Sequence, residues 1–383
     1  MGWTATTLGA VCGGRDNNLN LIRMIAASAV LVSHAYPITL GGGVEEPLEG
    51  LVGHSLGWVA VAIFFVISGF LIARSFDRAP RIADWAAARV LRLFPGLFVV
   101  LVLSVLLLGP AMTALPLGAY FSDPATIGYV FRNLSLAFLQ YPLPGVFETN
   151  PLPHALNGSL WTLFHEVMCY LGVLVLGVFG LLRRGPIFAM AFGAYLAGYG
   201  VLGLPGIIEA LPGKLVLLRE LSLPFALGTA AYVWRDRVVL AWVPGIGLAA
   251  LAAGALAAGL PGAHEVFLVA LAYGTALLAY LPGGILRAYN RLGDYSYGTY
   301  VYAFPVQQTV VAVAGPMDPA TNIVLALPIT LGFAVLSWHM IESPALATRH
   351  RAADWLAQSL PGMGTRSADA ASAEATIRRP DPR

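Results

Sequence analysis

Ten runs of apolar residues, each long enough to cross the hydrocarbon core of a lipid bilayer as a helix, dominate this sequence. A helix that crosses this core of about 30 Å needs roughly 20 predominantly apolar residues. The sequence therefore predicts an all-α, polytopic membrane protein with about ten transmembrane helices. The predicted spans cover residues 19–38, 56–74, 92–112, 159–182, 186–204, 216–234, 238–258, 264–282, 295–314 and 321–341.

The composition supports this fold class, because 58% of the 383 residues are hydrophobic and only 11% are charged. Soluble domains carry about twice that share of charged residues. The net charge of +2 and the single lysine, Lys214, give no indication of a nucleic-acid partner. The two cysteines, Cys12 and Cys169, fit neither a disulfide framework nor a metal-site spacing, so we expect no metal.

The distribution of arginine predicts the orientation of the chain. Arginines concentrate at the span ends that share one side, whereas the opposite loops contain only Arg132, Lys214 and Arg219 as basic residues. Because cytoplasmic loops are enriched in basic residues, both termini are expected in the cytoplasm. This predicts a cytoplasmic N-terminal segment at 1–18, a transmembrane domain at 19–344 and a cytoplasmic, disordered tail at 345–383.

The stretch RMIAASAVLVSH places a polar side chain at each end of an apolar run, Arg23 and His34. On a helix the two side chains lie about 20° apart around the axis and roughly 16 Å apart along it. A charged side chain costs at least about 2.5 kcal/mol at the centre of the bilayer, so such residues are functional candidates. Arg23 is close enough to the cytoplasmic surface to snorkel, whereas His34 lies too deep.

Glu166 is the predicted partner of His34, because it lies at a similar depth, about 10 Å from the outer end of its span. A carboxylate that accepts the imidazole N–H fixes the tautomer and makes the other nitrogen a better general base. We therefore predict that His34 and Glu166 are catalytic. A structural His–Glu pair is the alternative, and His165 is a rival partner on another face of the helix.

Arg23 at the predicted cytoplasmic mouth and His34 deeper in the bundle are spaced so that they could bind the two ends of an acyl-coenzyme A. The planar fork of a guanidinium binds phosphate through two hydrogen bonds, and the thioester of this donor lies at the far end of a long flexible arm. The predicted donor is therefore acyl-coenzyme A, with its phosphates near Arg23 and its thioester near His34.

Six segments between about residues 15 and 346 carry a resemblance to a known family. They are RMIAASAVLVSH at 23–34, FFVISGFLI at 64–72, RVLRLFPGLF at 89–98, NGSLWTLFHE at 157–166, GDYSYGTYVYAFPV at 293–306 and SWHMIESPAL at 337–346. In this order they resemble the motifs of the acyltransferase 3 family of integral membrane acyltransferases. The resemblance implies transfer of an acyl group, commonly acetyl, from a cytoplasmic thioester to a carbohydrate hydroxyl. It also implies that Arg23, His34 and Glu166 are functional and that Arg89 and Arg92 lie near the donor.

One position departs from the family pattern. Many relatives have a histidine where this chain has Ala303. Tyr302 and Gln307 are the candidates to replace it. Glu342, near the end of the last span, is expected to pair with Arg89 or Arg92.

Four further side chains are assigned to the site, each with a structural alternative. Ser68 is a predicted donor contact, although small residues such as Ser68 and Gly69 also let helices approach closely. Trp161, Tyr297 and Tyr302 are predicted substrate contacts, although aromatic residues also anchor spans at the membrane surface.

The predicted function is that of a membrane O-acyltransferase in the bacterial cytoplasmic (inner) membrane. It would transfer an acyl group, commonly acetyl in this family, to a hydroxyl of an envelope or exported glycan or glycolipid. The alternative is a proton-coupled transporter in which His34 and Glu166 form a proton relay. The sequence shows no internal repeat of the kind found in many transporters.

Overall fold

Each of the ten predicted spans coincides with a helix in the structure, a computed structural model that describes residues 6–79, 81–182 and 185–360. The helices are α1 (Leu19–Leu40), α2 (Leu56–Arg78), α3 (Ile82–Leu103), α4 (Trp161–Val178), α5 (Pro186–Leu202), α6 (Gly213–Val233), α7 (Trp242–Ala257), α8 (Ala263–Tyr280), α9 (Ser296–Ala314) and α10 (Pro319–Ser337).

Two of these helices continue through a π-helical turn. After α3 the chain forms a π turn at Ser104–Leu108 and a helix at Gly109–Met112, and after α10 it forms a π turn at Trp338–Glu342 and a helix at Ser343–Ala347. The remaining elements are short. They are the helices Leu8–Val11, Glu49–Val52, Leu117–Ser122, Pro124–Leu134 and Ile207–Ala210, the 3-10 helices Gly158–Leu160 and Gly284–Arg291, and the paired strands Thr6–Thr7 and Val239–Leu240.

Seven helices in the described part of the chain are long and apolar enough to cross a membrane: α1, α2, α3, α4, α6, α8 and α10, with their continuations. The apolar helices α5 and α7 have 17 and 16 residues. At 1.5 Å per residue they fall short of a core of about 30 Å. Helix α9 has 19 residues, but tyrosine and glutamine make it polar, and it is mostly buried within the bundle. A polytopic membrane protein is supported, whereas ten spans and cytoplasmic termini stay predictions.

Helix α2 lies at the centre of the bundle and packs against α1, α4, α6 and α8. Its closest neighbour is α6, because glycines face each other where the helices cross. A methyl group at Gly69 would collide with the carbonyl oxygen of Phe225, and one at Gly228 would collide with that of Val66. Small residues permit such backbone contact between membrane helices. The structure therefore assigns Gly69 to helix packing.

Buried amide side chains fasten α9 to its surroundings. The amide nitrogen of Gln307 donates to the carbonyl oxygen of Leu31 on α1 and to Asn322 on α10, both at 2.9 Å. The amide nitrogen of Asn157 donates to the carbonyl oxygen of Val301 at 2.9 Å. Asn157 belongs to the segment 113–158, which is predicted to lie outside the cytoplasm and is called the outer loop. Buried polar groups are costly unless they are paired, so these bonds fix α9 between α1, α10 and the outer loop.

The chain after α10 forms a further helix, α11 (Arg349–Ser359), which corrects the predicted disordered tail at 345–383. Helix α11 packs on α3 through Ala83, Ala87 and Ala353, all nearly or fully buried. Arg81 binds Asp354 of α11 at 2.8 Å. The apolar stripe of α11 is short, and in a polar segment it gives a weak sequence signal. The rest of the predicted tail, 361–383, lies outside the described residues.

The predicted orientation can be tested by cysteine labelling with a membrane-impermeant reagent, after the two buried native cysteines are replaced. A cysteine at Ala79, in the loop between α2 and α3, is expected to react only after permeabilisation, because arginine-rich loops stay in the cytoplasm. A cysteine at Gly118, which has open space around it, is the matched control from the outer segment 113–158 and should react in intact cells. Labelling of Ala79→Cys in intact cells would contradict the orientation.

Candidate active site

A cavity of about 300 Å³ lies at the end of the bundle where α2 meets α3 and α9 begins. It is lined by six of the nine predicted site residues: Arg23, Ser68, Arg89, Arg92, Glu166 and Tyr297. The structure therefore brings these six residues together around one cavity, and their roles stay predictions. The other three predicted residues, His34, Trp161 and Tyr302, lie outside the lining.

Asp294, in the turn before α9, holds two of the arginines in place. Arg23 and Arg92 both donate to the same oxygen of Asp294, Arg92 at 2.6 Å. Ser296 donates to the other oxygen at 2.7 Å. Burial alone would raise the pKa of Asp294, but the charges of Arg23 and Arg92 outweigh it and lower this pKa to about 2. Asp294 is therefore ionised at neutral pH and offsets part of the positive charge.

Arg92 has a second acidic partner and two aromatic neighbours. It donates to Glu342 at 3.3 Å, which confirms the predicted pairing of Glu342 with an arginine of α3. Its guanidinium lies 5.7 Å from the ring centre of Tyr297 and 5.8 Å from that of Trp338, within range of a cation–π interaction. The hydroxyl of Tyr297 donates to the carbonyl oxygen of Leu93 at 2.7 Å. Arg92 is thus fixed on several sides.

Arg89 differs from the other two arginines. It forms no ion pair with any described residue, and its Nε atom is buried without a hydrogen-bond partner. Buried polar atoms without a partner are rare in proteins, and each one requires an explanation. Arg89 lines the cavity, so an anion that entered the cavity would supply the missing partner.

Glu166 binds hydroxyl groups and not the predicted histidine. It accepts hydrogen bonds from Ser68 at 3.2 Å and from Tyr170. Within the described ranges no hydrogen bond joins Glu166 to His34, so the predicted His34–Glu166 contact is wrong in this structure. The reason is the direction of the side chains, since Glu166 reaches from α4 to α2 whereas His34 faces α9.

His34 has an environment of its own. Its ring meets that of Phe304 on α9 edge to face, with the ring centres 5.2 Å apart. Its Nδ1 atom is buried without a hydrogen-bond partner. His165, the rival histidine, lies against the carbonyl oxygens of Trp161 at 2.9 Å and Lys214 at 3.1 Å. His165 therefore has structural partners, whereas His34 has a ring nitrogen free to bind another group.

The two predicted substrate contacts outside the cavity have aromatic neighbours instead. The ring of Trp161 lies edge-on to that of His165, with the centres 5.6 Å apart. Tyr302 is buried and stacks on Phe333 of α10 at 5.5 Å. Ala303, at the position where relatives often have histidine, is completely buried.

Among the residues that line the cavity but were not predicted from the sequence are Tyr170, Asp294 and Arg349. Tyr170 lies one helical turn after Glu166, a spacing that brings two side chains together. Asp294 stands at the cytoplasmic end of its predicted span, at the expected level of Arg23. Both signals were available in the sequence. Arg349 belongs to α11, which was predicted to be disordered.

The fold and the cavity together define a polytopic membrane protein with an arginine-lined cavity. Its sequence matches the model of the acyltransferase domain over residues 16–339, and the chain belongs to the acyltransferase 3 family. It is 32% identical to an O-acetyl transferase of Shigella phage Sf6 over 340 residues, 86% of this chain and 95% of that protein. It is also 29% identical to Nodulation protein 10 of Rhizobium leguminosarum bv. viciae over 361 residues, 88% and 95% of the two chains.

These similarities show that the chain is an O-acyltransferase. No solved structure matches it.

Proposed function

We propose that the protein transfers an acyl group, acetyl in the simplest case, from acyl-coenzyme A to a hydroxyl of an envelope or exported glycan or glycolipid. The proposal places it in the bacterial cytoplasmic membrane, where both membrane lipids and such acceptors are within reach. The observation that carries the donor assignment is the buried Nε atom of Arg89, which lines the cavity and has no hydrogen-bond partner among the described residues. The similarity to a phage O-acetyl transferase supports acetyl as the group transferred.

The negative charge of acyl-coenzyme A complements the arginines that line the cavity. Its phosphates would lie against Arg89, whose planar fork suits two hydrogen bonds to one phosphate. Arg23 and Arg92, which Asp294 holds in place, would add positive potential at the same cavity. The acyl arm would point toward Ser68, whose hydroxyl Glu166 orients from the far side. In this proposal Arg23, Arg89, Arg92 and Ser68 bind the donor.

His34 is the proposed general base. Its ring takes the proton from the acceptor hydroxyl as that oxygen attacks the thioester carbonyl. The carbon–sulfur bond then breaks, and the imidazolium returns the proton to the departing thiolate. An acyl-histidine intermediate is the alternative route. Direct attack needs fewer steps and uses the free ring nitrogen of His34 in both proton transfers.

Glu166 acts from the donor side in this scheme. Its carboxylate accepts from Ser68 and Tyr170, so it holds two hydroxyls at the wall of the cavity. Each hydroxyl gives its single proton to this carboxylate, so its oxygen presents lone pairs as a hydrogen-bond acceptor to a group in the cavity. A proton relay from His34 to Glu166, which the transporter alternative needs, has no direct hydrogen bond among the described residues.

The function is tested by mass spectrometry of envelope glycans and glycolipids from cells with and without the gene. Wild-type cells are expected to show acceptors heavier by one acyl group, and deletion should remove this mass difference. Complementation with the wild-type gene should restore it, whereas a His34→Ala gene should not. Identical acceptor masses, together with no consumption of acetyl-coenzyme A by the purified protein and an envelope extract, would contradict the proposal.

A further inference from the structure

Helix α11 completes the cavity from the cytoplasmic end. It is docked on α3, the helix that carries Arg89 and Arg92, through closely packed alanines and the ion pair between Arg81 and Asp354. Arg81 also binds Asp84 at 2.8 Å, so one guanidinium joins two helices. The first residue of α11, Arg349, lines the cavity. The docking therefore sets the position of a fourth arginine at the site.

Arg349 resembles Arg89 in having no ion pair with a described residue, but it is exposed. It forms no ion pair within the described ranges, and its one hydrogen bond runs from Nε to the ring of His350 at 3.3 Å. Arg23 and Arg92, by contrast, are already engaged by Asp294. Among the described residues, the lining of the cavity thus contains two arginines that form no ion pair. One, Arg89, is deep, and the other, Arg349, is exposed at the mouth.

We infer that Arg349 binds the outermost phosphate of the donor, the 3′-phosphate on the ribose of coenzyme A. The inference rests on the proposed function, because it takes acyl-coenzyme A as the ligand of the cavity. Coenzyme A carries a pyrophosphate close to the acyl arm and a separate phosphate on the ribose. The buried Arg89 meets the pyrophosphate, and the exposed Arg349 meets the ribose phosphate. Helix α11 is then a specificity element that distinguishes coenzyme A from smaller thioesters.

The test compares two donors, acetyl-coenzyme A and acetyl-3′-dephospho-coenzyme A, with purified protein and acceptor extract. Arg349→Ala removes a charge-assisted contact with the ribose phosphate, so the KM for acetyl-coenzyme A should rise about ten-fold. Its kcat should stay unchanged, as should its KM for the dephosphorylated donor. Arg349→Lys should fall between the wild type and Arg349→Ala.

Arg351→Ala is the matched control, because Arg351 is an exposed arginine of the same helix that does not line the cavity. It should behave as wild type with both donors. A second variant, Ala353→Glu, places a charge at the fully buried contact with α3 and should undock α11. It should reproduce the effect of Arg349→Ala on the two KM values.

The possible failures differ from one another. If Arg349→Ala behaves like Arg351→Ala, or raises the KM of both donors equally, the inference is wrong while the proposed function stands. If the wild-type protein accepts neither donor, the proposed function fails, and the assignment of Arg349 fails with it.

Discussion

Replacing His34 by alanine is expected to abolish detectable acyl transfer while the protein stays folded in the membrane. A well-placed general base accelerates a reaction by about 10²–10⁴-fold, and the proposed mechanism uses His34 for both proton transfers. Folding should survive, because His34 makes no hydrogen bond to any described residue, and its ring contact with Phe304 is one of many apolar contacts of α9.

The measurement is turnover of acetyl-coenzyme A by purified protein with acceptor extract, beside a thermal unfolding curve. The matched control is His154→Asn, which removes an exposed histidine from the outer loop. Its left-handed backbone, with φ of 58°, is one that asparagine tolerates. This control should retain wild-type turnover. Near-normal turnover of a folded His34→Ala protein would show that the deep histidine is structural.

The second large effect is expected at Arg89. Arg89→Lys keeps the positive charge but loses the planar fork, so it cannot make two parallel hydrogen bonds to one phosphate. Each hydrogen bond to a charged group contributes about 1.5–3 kcal/mol, so the affinity for acetyl-coenzyme A should fall by roughly ten- to a hundred-fold. The dissociation constant, measured by titration of the purified protein, gives the result directly.

Arg23→Lys is the informative comparison for this experiment. Arg23 is engaged by Asp294, and a lysine can keep that ion pair, so its affinity for the donor should fall less than that of Arg89→Lys. Arg132→Lys, on the outer segment, is the control and should bind as wild type. Equal affinities in Arg89→Lys and wild type would show that Arg89 does not bind the donor. The assignment of acyl-coenzyme A as the donor would then lose its main support.

The apolar runs predicted every long helix because backbone groups in a membrane can be paired only within the segment. Helix α3 is longer than the apolar run from which it was predicted. The predicted span begins at residue 92, where the charged residues end, whereas α3 begins at Ile82. Arg89 and Arg92 lie well inside the helix and face a cavity lined by other polar groups. A sequence shows that a residue is charged, but it does not show whether the folded protein places that residue at a polar cavity.

The same limit explains the result for His34 and Glu166. Their depths along their helices could be counted from the sequence, but the direction of each side chain depends on which helices are neighbours. Helix α4 packs on α2, so Glu166 meets Ser68, while α1 packs on α9 and His34 meets Phe304. The ion pairs of Arg23 and Arg92 with Asp294 depend equally on neighbours that are distant in sequence.

The docking of α11 beside the cavity has a consequence for how the protein is made. A ribosome synthesises α1 first and α11 last, and chains fold progressively from the N-terminus. A nascent chain that has inserted α1 to α8 already contains Arg23 and Arg89 but lacks Asp294 and Arg349. Such an intermediate lacks the carboxylate that pairs with Arg23 and Arg92 in the finished protein. The charge balance of the cavity is therefore completed only when the last part of the chain has been synthesised.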